Sequence, residues 1–271
     1  MLLRERLRAL YPGASGRTIK GWLEAGRVSV DGRVVRRGDV VVTDGARVTL
    51  GEPPAQFPSS LHLVHEDDDL LVVDKPAGLL TIATERERDR TAYRMLREYV
   101  HALPGRVRLF IVHRLDRETS GLLVFAKSPE AKRRLQAQFE ARTVERGYVA
   151  VVDGRVAASG GTLGGLLHED RARRVRPGRG PGAREAITRY RVLERRRGST
   201  VLELTLETGR RGQIRAQLAA LGHPITGDRA YGSRRDPIRR LCLHATRLGF
   251  TSPRGGRMAF ESRIPGEFRR A

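Results

Sequence analysis

Cysteine is nearly missing from this chain: Cys242 is the only one in 271 residues. An internal disulfide and a cysteine metal cluster are both excluded, and the setting Leu241-Cys242-Leu243 suggests a small buried hydrophobe. Long apolar runs are also missing, so no segment reads as a membrane span. The opening MLLRERLRAL lacks the apolar stretch of a secretion signal. A monomer of the reducing cytoplasm, off the membrane, is expected. Acidic residues are in short supply, 31 Asp+Glu against 52 Lys+Arg, which leaves a formal net charge of +21 and a pI of about 11.4. Only four of the basic residues are lysine, so the excess is arginine. Such a field attracts polyanions and is the usual footprint of nucleic-acid binding.

Several sites are excluded by what their motifs lack. His62, His65 and Asp67 have no H-E-x-x-H spacing or second cluster, so no metal is expected. His113, Asp116 and Ser120 are the residue types of a hydrolase triad, but no G-x-S-x-G elbow accompanies them. Gly160 to Gly165 lacks the Lys-Ser/Thr of a phosphate loop and reads as a flexible turn. No cofactor is implied, and the chain has no internal repeat.

What is present divides the chain at three prolines in residues 52–60 (EPPAQFPSS), a semi-rigid linker. Residues 1–51 carry 10 Lys+Arg and 5 Asp+Glu, a net of +5. Leu2, Leu3 and Leu7 recur at helical spacing. Ser15 is placed to cap a second helix with Ile19, Trp22 and Leu23 on one face, and Gly26 ends it. Asp31-Gly32 between Val28–Val30 and Val34-Val35 predicts a hairpin, with a further strand at Val48–Leu50. Residues 61–271 read as α+β around a mostly antiparallel sheet. Strands are expected at 70–73, 109–112, 122–126, 148–152, 186–193 and 201–206. Helices are expected at 91–101, from Pro129 behind a Ser128 cap to about Arg142, and from Gln213 to Leu221. Residues 169–197 hold 11 Arg against 4 Asp+Glu, and Arg176 to Gly182 is expected to form a mobile basic loop facing RNA phosphates.

The densest polar stretch between apolar strands is His113-Arg114-Leu115-Asp116-Arg117-Glu118-Thr119-Ser120-Gly121. This H-R-L-D-x-x-T-S-G run resembles the signature of the RluA family of pseudouridine synthases. Lys75-Pro76-Ala77-Gly78, Arg146-Gly147-Tyr148, Thr208-Gly209-Arg210-Arg211-Gly212-Gln213-Ile214-Arg215, the stretch from Gly222 to Gly232 and Leu241 to Ala245 match further family segments in order. The resemblance covers about residues 61–265. It implies a pseudouridine-synthase fold, isomerisation of uridine in structured RNA, Asp116 as nucleophile, and Tyr148 and Arg215 as its catalytic partners. His113, Arg114 and Arg210 are implied RNA contacts. Ribosomal RNA is the expected partner, with transfer RNA as another candidate. Residues 1–51 resemble the alpha-L RNA-binding domain, which points to Arg17, Lys20, Arg27 and Arg33 as phosphate contacts. Gly212 and Gln217 depart from the family, which has histidine at both positions near the RNA-facing start of a helix. That departure supports an alternative, a non-catalytic RNA-binding or ribosome-associated protein that retains the fold.

The residue types suit the reaction. Isomerisation breaks a C–N bond and makes a C–C bond to the same sugar, with no net gain of atoms or electrons. A carboxylate can attack and leave again, and a guanidinium within about 4–6 Å favours its charged form. A tyrosine face can hold the detached base, with stacking worth roughly 1–3 kcal/mol, and its hydroxyl can assist proton removal from the ring. The uridine must first leave its stack.

Overall fold

The computed structural model describes every residue except 52–55, 86, 104–106 and 171–173. The first part of the expected linker, residues 52–55, therefore lies outside the described residues. Chain contacts divide the molecule into one unit of residues 1–57 and 98–107 and another of residues 58–97 and 108–271.

In the first unit, α1 (Leu3–Leu10) and α2 (Gly16–Glu24) accompany a three-stranded antiparallel sheet of β1 (Val28–Val30), β2 (Arg33–Val34) and β3 (Val48–Leu50). Helix α2 starts where Ser15 accepts a hydrogen bond from the Thr18 N–H at 3.1 Å. It stops at Gly26, whose φ of +68° releases the chain from the helix. Asp31 and Gly32, with φ of 49° and 81°, form the tight turn that returns β2 onto β1. Leu3, Leu7, Ile19, Leu23, Val28 and Val42 make the core.

In the second unit the strands are β4 (His62–Glu66), β5 (Leu70–Lys75), β6 (Phe110–Ile111), β7 (Ser120–Ala126), β8 (Glu145–Asp153), β9 (Gly160–Glu169), β10 (Val175–Pro177), β11 (Arg184–Arg196), β12 (Ser199–Leu206), β13 (Leu243–Thr251) and β14 (Arg257–Glu261). They form one sheet in the order β10-β9-β11-β12-β8-β13-β7-β5-β4, with β14 on β13 and β6 on β7. Among the described strands only the β13–β7 pair is parallel. Helices α3 (Ala92–His101, its last residues grouped with the first unit), α4 (Pro129–Glu140) and α5 (Gln213–Ala220) complete the chain. Ser128 caps α4 through the Ala131 N–H at 3.0 Å, and Pro129 takes the first helical position, where no N–H is needed. Leu70, Val72, Leu122, Val124, Leu135 and Phe250 form the core between sheet and α4.

Two expectations fail here. Gly160 to Gly165 is not a turn but the first half of β9, paired with β11 from Gly160 to Leu167. Tyr190 on β11 covers Gly161 so closely that a Cβ would lie 3.0 Å from the ring, so a larger residue there would push the ring aside. Arg176 and Pro177 are not a free loop but part of β10, paired to His168 and Leu167. As the last residue of the outermost strand, Pro177 needs no N–H for a further neighbour.

Candidate active site

Asp116 lies in the connection from β6 to β7, and both of its neighbours are tied down. The Thr81 hydroxyl donates to the Leu115 carbonyl at 2.8 Å and accepts from the Leu115 N–H at 3.2 Å. On the other side, the Arg117 carbonyl accepts from Lys75 Nζ at 3.1 Å and from the Gly78 N–H at 2.9 Å. Lys75 is fully buried and also donates to the Pro76 and Leu79 carbonyls at 2.8 and 2.7 Å. Burial lowers its ammonium to about 8 against the opposing pull of Glu118 and Asp116. The Lys-Pro-x-Gly turn is therefore a clamp on the Asp116 loop.

The far end of the loop is fastened to β13. Gly121, at φ +112°, lies so close to β13 that a Cβ would overlap the Ala245 backbone. Beside it, Arg240 Nη2 donates to Ser120 Oγ at 2.6 Å, and Ser120 Oγ lies 2.8 Å from His244 Nδ1. His244 Nε2 reaches Ser262 Oγ at 2.9 Å, and Ser262 Oγ donates to Asp74. With a guanidinium at one end and a carboxylate at the other, each hydroxyl proton points toward Asp74, which requires neutral His244 with its proton on Nε2. Ser120 thus pairs with His244 rather than with His113.

Arg215 projects from α5. Its Nε and Nη2 donate to the two oxygens of Asp228 at 2.7 and 2.8 Å, and Nη1 lies 3.6 Å from Asp116 Oδ2. The Tyr231 ring sits 4.8 Å from the guanidinium. Burial alone would lower this arginine, but the bonds and charge of Asp228, with Asp116 behind, raise it above its ordinary value. Tyr148 stands on β8, only 8% exposed. Burial, opposed by Arg146 and aided by Asp116, pushes its phenol up to about 12. The hydroxyl is therefore protonated at neutral pH.

Asp116, Tyr148 and Arg215, 99 residues apart at the extremes, line one cavity of about 580 Å³ together with Phe139, Arg146 and Arg210. A second cavity of about 340 Å³ meets Asp116 and Arg215 from the other side and is lined by Arg114, Arg117, Arg174 and Arg211. Arg114 is exposed and borders both. Arg210 donates to the Glu185 carbonyl at 3.2 Å. His113 lines the larger cavity too, but not as a cation. Its Nε2 accepts the Val124 N–H at 3.1 Å, its ring stacks on Phe139 at 4.7 Å, and burial with Arg146 nearby pushes it down to about 3.

The two departures from the family have local explanations. Gly212, at φ +58°, starts α5 on the wall shared by both cavities; a Cβ there would come within 3.2 Å of Tyr231 Oη. Gln217 is not at an RNA-facing surface. It is buried, donates to the Leu163 and Ala186 carbonyls at 2.8 and 3.0 Å and accepts from Thr188 at 2.6 Å. A neutral imidazole has one N–H and cannot serve both carbonyls. One of the two features that favoured a non-catalytic protein, Gln217, is therefore a strand-bridging side chain.

In the first unit Arg17 and Lys20 are exposed on α2, Lys20 within 3.7 Å of Glu24. Arg33 is exposed on β2, whereas Arg27 is committed to the Gly51 carbonyl at 3.0 Å and to the Trp22 face. Sequence reasoning gave no role to Thr81, Arg146, Asp228 or Tyr231. For Arg146 a signal was present, since it precedes Tyr148 by two residues on a strand and so shares its face. Among the described residues no His, Cys, Asp and Glu group has a metal-binding arrangement.

Comparison with known proteins agrees with this geometry. Residues 69–220 match the family model described as RNA pseudouridylate synthase. A ribosomal large subunit pseudouridine synthase D of Pseudomonas aeruginosa is 38% identical over 96% of this chain and 87% of its own length. The protein of the same name from Escherichia coli is 34% identical over 97% of this chain and 87% of its own length. Among solved structures, human RNA pseudouridylate synthase domain containing 1 superimposes with a TM-score of 0.63 at 27% identity, covering 76% of this chain and 84% of its own.

Proposed function

Since this chain belongs to the RNA pseudouridylate synthase family and isomerises uridine to pseudouridine in RNA, we propose that Asp116 is the nucleophile, with Arg215 and Tyr148 as its partners and the RNA of the large ribosomal subunit as the substrate. The observation that carries the site is the meeting of three segments: a carboxylate 3.6 Å from a guanidinium, beside a buried tyrosine, in a cavity within the size range of ligand pockets. The substrate follows from the two relatives named for the large subunit.

The target uridine leaves its stack and enters the larger cavity. Arg215, itself held by Asp228, keeps the Asp116 carboxylate charged and aimed. Tyr148 stacks on the base. The strand flanking the target runs past Arg114 and Arg174 in the second cavity, and Arg17, Lys20 and Arg33 of the first unit take further phosphates. The protein works as a cytoplasmic monomer. Asp116→Asn removes one charge at constant shape. It abolishes pseudouridine formation in large-subunit RNA while leaving RNA affinity near wild type, as measured by pseudouridine mapping of cells that carry only the variant. Wild-type maps from those cells would refute the assignment.

A further inference from the structure

Arg146 is the single arginine in the buried class among the described residues, 7% exposed. Three other arginines with largely covered side chains have carboxylate partners: Arg215 has Asp228, Arg240 has Glu267, and Arg196 has Glu194. Arg146 has none among the described residues. Its Nη2 makes two long contacts, to the Leu206 and Glu207 carbonyls at 3.4 and 3.2 Å. Its Nε is sealed from solvent without a hydrogen-bond partner. The Phe139 ring lies 5.7 Å from the guanidinium. A buried cation without a partner is costly, and an unsatisfied buried polar atom in a native fold calls for an explanation. The chain also makes room for this group, because a Cβ on Gly209 would overlap Arg146 Nη1. Strand alternation puts Arg146 on the same face of β8 as Tyr148, and both line the cavity that holds Asp116.

The reaction generates the missing partner. As a carboxylate oxygen of Asp116 bonds to C1′, the bond from C1′ to N1 breaks, the electron pair stays on N1, and the detached uracil carries one negative charge spread over N1, O2 and O4. The ring then turns, C5 bonds to C1′ as the ester bond to Asp116 breaks and returns its carboxylate, the C5 proton leaves and N1 gains one, so atoms and electrons balance. Between the two bond events the uracil anion stays in the pocket while Asp116 is esterified to the sugar. Arg215 is held through two bonds by Asp228, which already takes up its charge. We propose that Arg146 is a further catalytic residue whose guanidinium stabilises the detached uracil anion. This rests on the assignment of the Asp116 cavity above.

The test uses Arg146→Met and Arg146→Lys in the full chain. In single-turnover assays on target RNA, Arg146→Met lowers the rate by about 100-fold or more, the usual effect of losing one preorganised charge donor. Half-saturating RNA stays near wild type, and Arg146→Lys recovers part of the rate. As competitors, 5-nitrouracil, an anion near neutral pH, inhibits the wild type better than neutral uracil, and Arg146→Met erases that preference. The melting temperature of Arg146→Met is unchanged or raised, since an uncompensated charge is gone. A wild-type rate in Arg146→Met overturns the inference, as does equal weakening of both competitors. So does a rate loss matched by lost RNA affinity and a lowered melting temperature, the pattern of a scaffold residue. If Asp116→Asn is inactive while Arg146→Met is normal, only this inference falls; if Asp116→Asn is active, the cavity assignment falls first.

Discussion

Asp228→Asn replaces an oxygen with an amide at constant shape and turns one arm of the Arg215 fork into a repulsive contact. The Asp228 side chain is 1% exposed and that of Arg215 is 20% exposed. Removing one partner of a buried ion pair costs about 3–5 kcal/mol. Part of Arg215 remains wet and Asp116 stays 3.6 Å away, so the lower end, about 3 kcal/mol, applies. At roughly 2–4 °C per kcal/mol for a chain of this size, the second unit melts about 6–12 °C lower. The kinetic effect is separate. Without the bidentate anchor the guanidinium shifts on its stem, and a misplacement near 1 Å costs on the order of 100-fold in rate. Single-turnover conversion of uridine in a model RNA, read by mass spectrometry of the nucleosides, measures the rate; calorimetry measures the melting. An Asp228→Asn protein with wild-type rate and melting would show that Arg215 needs no second carboxylate to serve Asp116.

Two more outcomes follow from the same geometry. The Tyr148 phenol, raised from its ordinary 10.0 to about 12 by burial, binds its proton more tightly when folded. Its stabilising contribution is complete below pH 10 and is lost as pH rises toward 12. The stability of Tyr148→Phe relative to wild type therefore increases across that window in urea unfolding, and a constant difference would refute the buried phenol. In the first unit, Arg17→Ala and Lys20→Ala each lower the slope of log affinity against log salt by about 1 with no change in the single-turnover rate at saturating RNA. Unchanged slopes would remove α2 from the RNA interface.

Local chemistry made parts of the fold readable. Ser15 and Ser128 cap helices because their neighbours offer free N–H groups, and Asp31-Gly32 turns because both residues accept positive φ. The loop around Asp116 was legible as polar residues between two apolar strands. Strands β9 and β10 were not, because glycine and proline oppose strand formation locally and only the pairing of β9 to β11 and of β10 to β9, with the outer edge left open, overrides them. Arg215 was found, but Asp228, its stronger partner, was not, since nothing local ties the two. His113 reads as an RNA contact, and its sequence neighbours give no sign that Phe139 of α4 lies against its ring. In each case the missing information is a contact between two different elements, which no single segment of sequence displays.

The placement of β13 sets when the enzyme becomes competent. It lies between β7 and β8, with His244 opposite Ser120 and Ala245 opposite Tyr148, so it is the spacer that fixes the distance from the Asp116 loop to the tyrosine. A growing chain leaves the translation machinery amino end first. It completes Asp116, Tyr148 and Arg215 well before β13 appears. Until that strand inserts, the two halves of the reaction centre have no common neighbour and the sheet between them stays open. Assembly of this cavity thus waits for β13, and a copy that lacks the strand carries Asp116, Tyr148 and Arg215 without the spacing that brings them together.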